Sequence, residues 1–180
     1  MMHRFRQVVR GELKMNKRFV NILFFFLENL GAGIWVGALV TFGLAVAAPV
    51  FRGLPSLTQA GSITAVILQR INLMETTAAT LMAVSALVFL LQKDQRTLVR
   101  LAKTAVVVLM TMIFVYYGMM IMDRLEHLRT VEIRDFDQFS AATRAFREEF
   151  DRLHKLYTQL VKGNLFLGLG FLLLSAFEKK

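Results

Sequence analysis

One apolar run constrains this chain more than any other feature. From Phe19 to Ala48 the only charged residue is Glu28, and the run is longer than the roughly 20 residues that cross a bilayer as a helix. A soluble helix would need a polar face, and none is present here. The run begins directly behind Arg4, Arg6, Arg10, Lys14, Lys17 and Arg18, which are set against the single acid Glu12. Ala45-Val46-Ala47 has the look of a signal-peptidase site behind that basic region. The apolar stretch nevertheless far exceeds the roughly 7 to 15 residues of a signal-peptide core, so the segment reads as a first membrane helix.

Three further apolar segments follow, and the sequence predicts an all-α, polytopic membrane protein. Its four transmembrane helices, at about residues 19–49, 65–91, 98–122 and 156–177, form an antiparallel bundle. Residues 1–18 form a basic flank and residues 19–180 a single membrane domain. Pro49 and Pro55 punctuate the first turn. Lysine and arginine cluster at the N-terminus, in the loop holding Lys93, Arg96, Arg100 and Lys103, and at Lys179-Lys180, whereas the first turn carries only Arg52. That asymmetry predicts an inner-membrane protein with both termini in the cytoplasm.

The net charge of +9 flanks apolar segments instead of forming a soluble basic face, so the expected partner is the lipid bilayer and not nucleic acid. With no cysteine, disulfides, thiolate metal sites and a cysteine nucleophile are excluded. There is no phosphate loop, no dinucleotide fingerprint, no HExxH and no credible serine triad, so no enzyme is expected. Methionines at 110, 112, 119, 120 and 122 invite a copper or redox-carrier reading, but methionine also fills apolar gaps, and the histidines lie outside the expected bilayer core. No metal or cofactor is therefore assigned. Gly33 and Gly37 form a GxxxG pair that predicts a close helix contact.

Between Asp123 and Lys155 the charges nearly balance. Phe136, Phe139, Thr143, Phe146, Phe150, Leu153 and Tyr157 recur at helical spacing, which predicts an amphipathic extension at about residues 136–155 running into the last membrane helix. Arg144 with Glu148, Arg147 with Asp151, and Asp151 with Lys155 are i,i+4 pairs on the other face. The phenylalanines Phe139, Phe146 and Phe150 either pack on this chain or present a surface to a second copy or another membrane protein.

Intramembrane charge is costly and marks candidate sites. At a rise of about 1.5 Å per residue, Glu75 lies about 24 Å above the inner edge and Lys162 about 22 Å. Asn72, Asn164, Trp35 and one of Tyr116 or Tyr117 fall near the same height. A polar layer of Glu75, Lys162, Asn72 and Asn164 is the expectation, either as a structural ion pair or as a cation-binding site. Glu28 sits about 13 Å above the edge with no basic residue expected at its height.

Trp35-Val36-Gly37, Ala48-Pro49-Val50-Phe51-Arg52, Leu54-Pro55 and Gly61 resemble the first hairpin of the transmembrane protein 205-like family, known in bacteria as domain of unknown function 4149. Phe150-Asp151-Arg152-Leu153-His154-Lys155-Leu156 is similar to the family's Phe-x-x-Leu/Tyr-His-x-Leu approach to its last helix. Relatives often carry a histidine where this chain has Glu28, and an asparagine one turn nearer His154 than Asn164. The resemblance covers nearly all of the chain after Arg18 and implies a four-helix membrane fold. The family has no settled activity, so no mechanism is implied. The sequence therefore leaves three readings: binding or permeation of a small solute or cation, a membrane scaffold, and a redox carrier.

Overall fold

A computed structural model of the protein describes residues 2–92 and 97–178, with side chains from residue 17 onward. The basic side chains before Lys17, together with Lys93, Arg96, Lys179 and Lys180, lie outside the described side chains. The chain is an all-helical four-helix bundle. Its spans are Lys17–Gly53, Leu57–Leu91, Leu98–Ile133 and Ala141–Ala176, each long and apolar enough to cross a membrane. The protein is a multi-pass membrane protein.

α1 runs Met2–Thr41 and passes through a π-helical turn, Phe42–Val46, into α2, Ala47–Gly53. The predicted stop at Pro49 is thus a widened turn and not an end. Proline has no N–H to return to the carbonyl four residues earlier, and its ring crowds that carbonyl, so a π-turn just upstream accommodates it. α3 spans Leu57–Leu91, eight residues earlier than the predicted start at 65. Ser56 caps it, accepting from the Gln59 amide at 3.1 Å. α4 covers Leu98–Val115 and continues through π-turns at Tyr116–Ile121 and Leu128–Ile133 on either side of α5, Met122–His127. The third span therefore ends at Ile133 and not near 122, where Arg134 takes a positive φ of 59°. A short 3₁₀ turn, Ala141–Thr143, leads into α6, Arg144–Ala176, which runs unbroken from the extension into the last span as the sequence predicts.

α1 packs on α3 and α6, and α4 packs on the same two helices, which closes a four-sided bundle. Each helix turns a face of 3–4 spacing inward: Glu28, Ala32, Trp35 and Leu39 on α1, and Lys103, Val107, Met110, Phe114 and Tyr117 across α4 and its π-turn. Large apolar side chains such as Phe19, Phe26, Leu73, Met112 and Phe166 point outward, toward lipid. Hydrophobicity is therefore spread around the circumference, with Glu28, Glu75, Lys103 and Asn164 buried inside, while Arg70, Thr76, Thr77, Thr80 and Lys162 face outward.

Small residues set how closely the helices approach, though not the pair that was expected. Gly33 and Gly37 are exposed, with nothing within 4 Å of an added Cβ. The close approach is at Gly31, where a Cβ would lie 2.9 Å from the Ala78 carbonyl oxygen and 2.8 Å from Met82 Cγ, and at Gly168, against Val36 and Met110. Gly33 and Gly37 have i,i+4 spacing, but their shared face points outward. Gly31→Leu is expected to cost about 1–3 kcal/mol by forcing α1 and α3 apart, whereas Gly33→Leu leaves stability unchanged. Thermal unfolding of both variants in micelles checks the contrast.

Residues 134–140 are not helical, which corrects the predicted helix from 136. Asp, Ser and Gln in this stretch have backbone groups to bind that compete with a helical turn. Asp137 accepts from the Ser56 hydroxyl, the Leu57 amide at 2.7 Å and the Thr58 amide at 3.4 Å, satisfying free donors at the start of α3. Arg147 does not pair with Asp151 as expected. It donates to the carbonyls of Asp135, Phe136 and Gln138 and ties the loop to α6. Arg144 does pair with Glu148, at 3.0 Å.

Donation from Ser56, reinforced by the Leu57 and Thr58 amides, holds the Asp137 carboxyl below its ordinary value of 3.8. A carboxyl depressed in the folded state stabilises the fold above its unfolded value, and that contribution is lost as pH falls from about 3.8 through the folded value. Protection of the Leu57 and Thr58 amides from hydrogen exchange, corrected for intrinsic rate, is expected to fall in that window. In Asp137→Asn it is expected to be low already at neutral pH, and equal protection in wild type and variant would contradict the capping role.

Candidate functional site: two buried carboxylates

The two intramembrane acids occupy separate layers of the bundle interior, and both are buried, Glu75 at 0% and Glu28 at 4% exposure.

Glu75 projects from the inward face of α3. Tyr117, on the π-turn after α4, donates its hydroxyl to Glu75 Oε1. Asn164 on α6 donates to the Tyr117 oxygen at 3.3 Å and to the Met110 carbonyl at 3.2 Å. The Trp35 indole from α1 lies close enough to act on the Glu75 carboxyl, although Trp35 Nε1 and Glu75 Oε2 do not complete a hydrogen bond of good geometry. Trp35, Phe114, Tyr117 and Tyr157 form a chain of edge-on rings with centroids 5.3–5.7 Å apart and fix the position of the Tyr117 hydroxyl. Tyr117 alone bonds the carboxyl, Asn164 of α6 bonds it through the Tyr117 oxygen, and Trp35 of α1 lies alongside. Asn72, a turn away on α3, donates to the Gly118 carbonyl at 3.2 Å, and its Oδ1 is buried without a protein donor.

Four of the predicted members of this layer come together: Glu75, Asn72, Asn164 and Trp35. Of the two tyrosines, Tyr117 is inside and Tyr116 is 44% exposed. Lys162 is not part of the layer. It is exposed and makes no ion pair among the described residues. It shares Glu75's height but lies two residues from Asn164, about 200° around the helix, so Asn164 faces in and Lys162 faces out. Glu75 consequently has no ion-pair partner among the described residues.

Glu28 is the reverse case. Its expected isolation is overturned by Lys103 of α4, whose Nζ donates to Glu28 Oε1 and, at 2.7 Å, to Glu178 Oε2. Arg100 Nη2 faces Glu178 Oε1. Two acids and two bases balance, and the Lys103 and Glu178 side chains are 3% and 8% exposed. Lys103 lies only five residues into α4, yet its long stem carries the ammonium inward. An adjoining cavity of about 10 Å³, lined by Glu28, Phe89, Arg100, Lys103 and Phe171 among others, is the size of one water. Between the two layers lie Ala32, Ala78, Met82 and Met110, all 0% exposed, which form an apolar barrier.

Phe139, Phe146 and Phe150 do not form one patch. Phe139 is 72% exposed, while Phe150 packs on the core and against Phe136 at 5.0 Å, and Phe146 is half-buried. His154 stacks on Phe150 at 6.0 Å. Pro49, Phe51, Arg52 and Pro55 sit at the end of the bundle far from the termini, with Phe51 and Arg52 exposed. Met112, Met119 and Met120 point outward, so the methionine sulfurs do not converge with buried Met110. No group of three or more His, Cys, Asp or Glu at metal-binding distance occurs among the described residues.

No family model, curated protein or solved structure matches the chain.

Proposed function

We propose that the protein is a non-enzymatic, proton-binding membrane bundle whose working group is Glu75. The supporting observation is a carboxyl at 0% exposure that receives one hydrogen bond, from the neutral Tyr117 hydroxyl, retains an oxygen without a donor, and has no ion-pair partner among the described residues. A carboxylate in such surroundings is neutralised only by taking up a cation, of which the proton is the smallest. Asn72 and its free Oδ1 continue the polar line toward the end remote from the termini. The apolar barrier separates Glu75 from the Glu28 layer, so transfer across the bundle requires that barrier to rearrange. The clustering of lysine and arginine at the N-terminus and in the loop before Lys103, against Arg52 alone in the first turn, supports an inner-membrane location with both termini cytoplasmic. The scaffold reading finds less support, because only Phe139 of its three phenylalanines is exposed.

The test is proton movement into vesicles containing the purified protein, driven by a potassium diffusion potential and read with an internal pH dye. Glu75→Gln preserves volume and hydrogen-bonding capacity, and is expected to reduce the rate at least about ten-fold. An unchanged rate in a folded Glu75→Gln bundle would overturn the proposal.

A further inference from the structure

At the end of the bundle that carries the termini, Arg100 and Lys103 converge on the last described residue of the chain. We propose that these two cations form a binding site for a phosphate or carboxylate group, and that Glu178 fills it as an internal competitor.

The cations are positioned without help from Glu178. The Arg100 guanidinium lies 3.4 Å from the centroid of the Phe89 ring, and Lys103 Nζ sits over Phe171 at 4.9 Å and Phe25 at 5.3 Å, so aromatic faces hold both charges in place. Glu178 is anchored far less firmly. α6 ends at Ala176, and beyond it single backbone bonds of 3.2 Å link Phe177 to Leu174 and Glu178 to Ser175, while the Phe177 side chain is 69% exposed.

The charge count also points to an anion. Glu28 balances Lys103, so withdrawal of Glu178 leaves one partly buried positive charge, that of Arg100. Arg100 Nη1 is already buried without an acceptor, and its Nη2 faces Glu178 Oε1 without the alignment of a hydrogen bond. A guanidinium engaged on one side only is under-used by a single carboxylate and better matched by a group with three acceptor oxygens. The site lies at a helix end, within reach of both dissolved anions and lipid headgroups.

The full chain in discs of zwitterionic lipid tests the proposal by titration with inorganic phosphate. Glu178→Gln is expected to bind phosphate at least about ten-fold more tightly than wild type, Glu178→Gln/Arg100→Gln is expected to lose that gain, and Glu75→Gln is expected to behave as wild type. A parallel arm replaces the disc lipid with phosphatidylglycerol. A thermal midpoint raised there in Glu178→Gln, but not in the double variant, assigns the phosphate to a lipid headgroup, whereas a response to free phosphate alone assigns it to a dissolved anion. A Glu178→Gln protein indifferent to both overturns the site. If Glu178→Gln fails to fold, wild type itself reports: phosphate or phosphatidylglycerol is expected to speed carboxypeptidase trimming past Glu178 at least about three-fold over chloride at equal ionic strength, and an unchanged rate overturns the displacement.

Discussion

Lys103→Met is expected to destabilise the bundle by about 3–5 kcal/mol, the usual cost of removing one partner from a buried ion pair. The ammonium at stake holds two carboxylates, Glu28 and Glu178, in a layer otherwise walled by Phe89, Phe171 and Val107. Methionine restores the volume of the stem and none of the charge, leaving Glu28 buried without a counter-ion. The loss belongs to the stranded acid and not to the missing attraction, so Glu28→Gln in the same chain removes most of it. Arg100 and Glu178 still balance in that double variant. Denaturant unfolding in mixed micelles, followed by circular dichroism, of wild type, Lys103→Met, Glu28→Gln and the double variant gives all four corners of the cycle. A Lys103→Met loss below about 1 kcal/mol would place the network in the weak class of exposed pairs.

Trp35→Ala is the second large effect, at roughly 3 kcal/mol. In water, deleting a buried aromatic ring costs transfer free energy as well as a cavity. In a bilayer the alternative surroundings are also apolar, so the transfer part falls away and the lost packing dominates. Trp35 is 0% exposed and meets Phe114 edge-on at 5.7 Å, so few neighbours can close the gap. Its indole N–H lies near the Glu75 carboxyl without completing a hydrogen bond. Trp35→Phe keeps a phenyl ring and removes an N–H that has no hydrogen-bond partner among the described residues, so the expected loss, about 1–2 kcal/mol, comes from the smaller ring's lost packing. Equal losses in Trp35→Ala and Trp35→Phe would mean that packing around the ring contributes nothing.

The four spans and the height of the Glu75 layer were legible in the sequence, because hydropathy and a fixed rise per residue carry that information directly. Helical phase was used less well. Counting around α6 as well as along it separates Asn164 from Lys162, and the same count turns Gly33 and Gly37 outward while Gly31 faces Ala78. Lys103 was hidden by its context. A lysine beside a basic loop reads as a boundary marker, and only the length of its stem lets it serve an acid inside the bundle. The loop at 134–140 misled for another reason: Phe136 and Phe139 have helical spacing, but Asp135 and Asp137 bind the start of α3, a partner nearly 80 residues away in sequence. Tyr117 needed both coordinates, since its height was shared by Tyr116 and its phase decides which one meets Glu75.

Infrared difference spectroscopy of the full chain in lipid discs, recorded between two pH values at which the bundle stays folded, observes the proton on Glu75 directly. A reversible carboxylic C=O band that is present in wild type, persists in Glu28→Gln and vanishes in Glu75→Gln is the expected result. A Glu75→Gln spectrum identical to wild type would contradict proton binding at that residue.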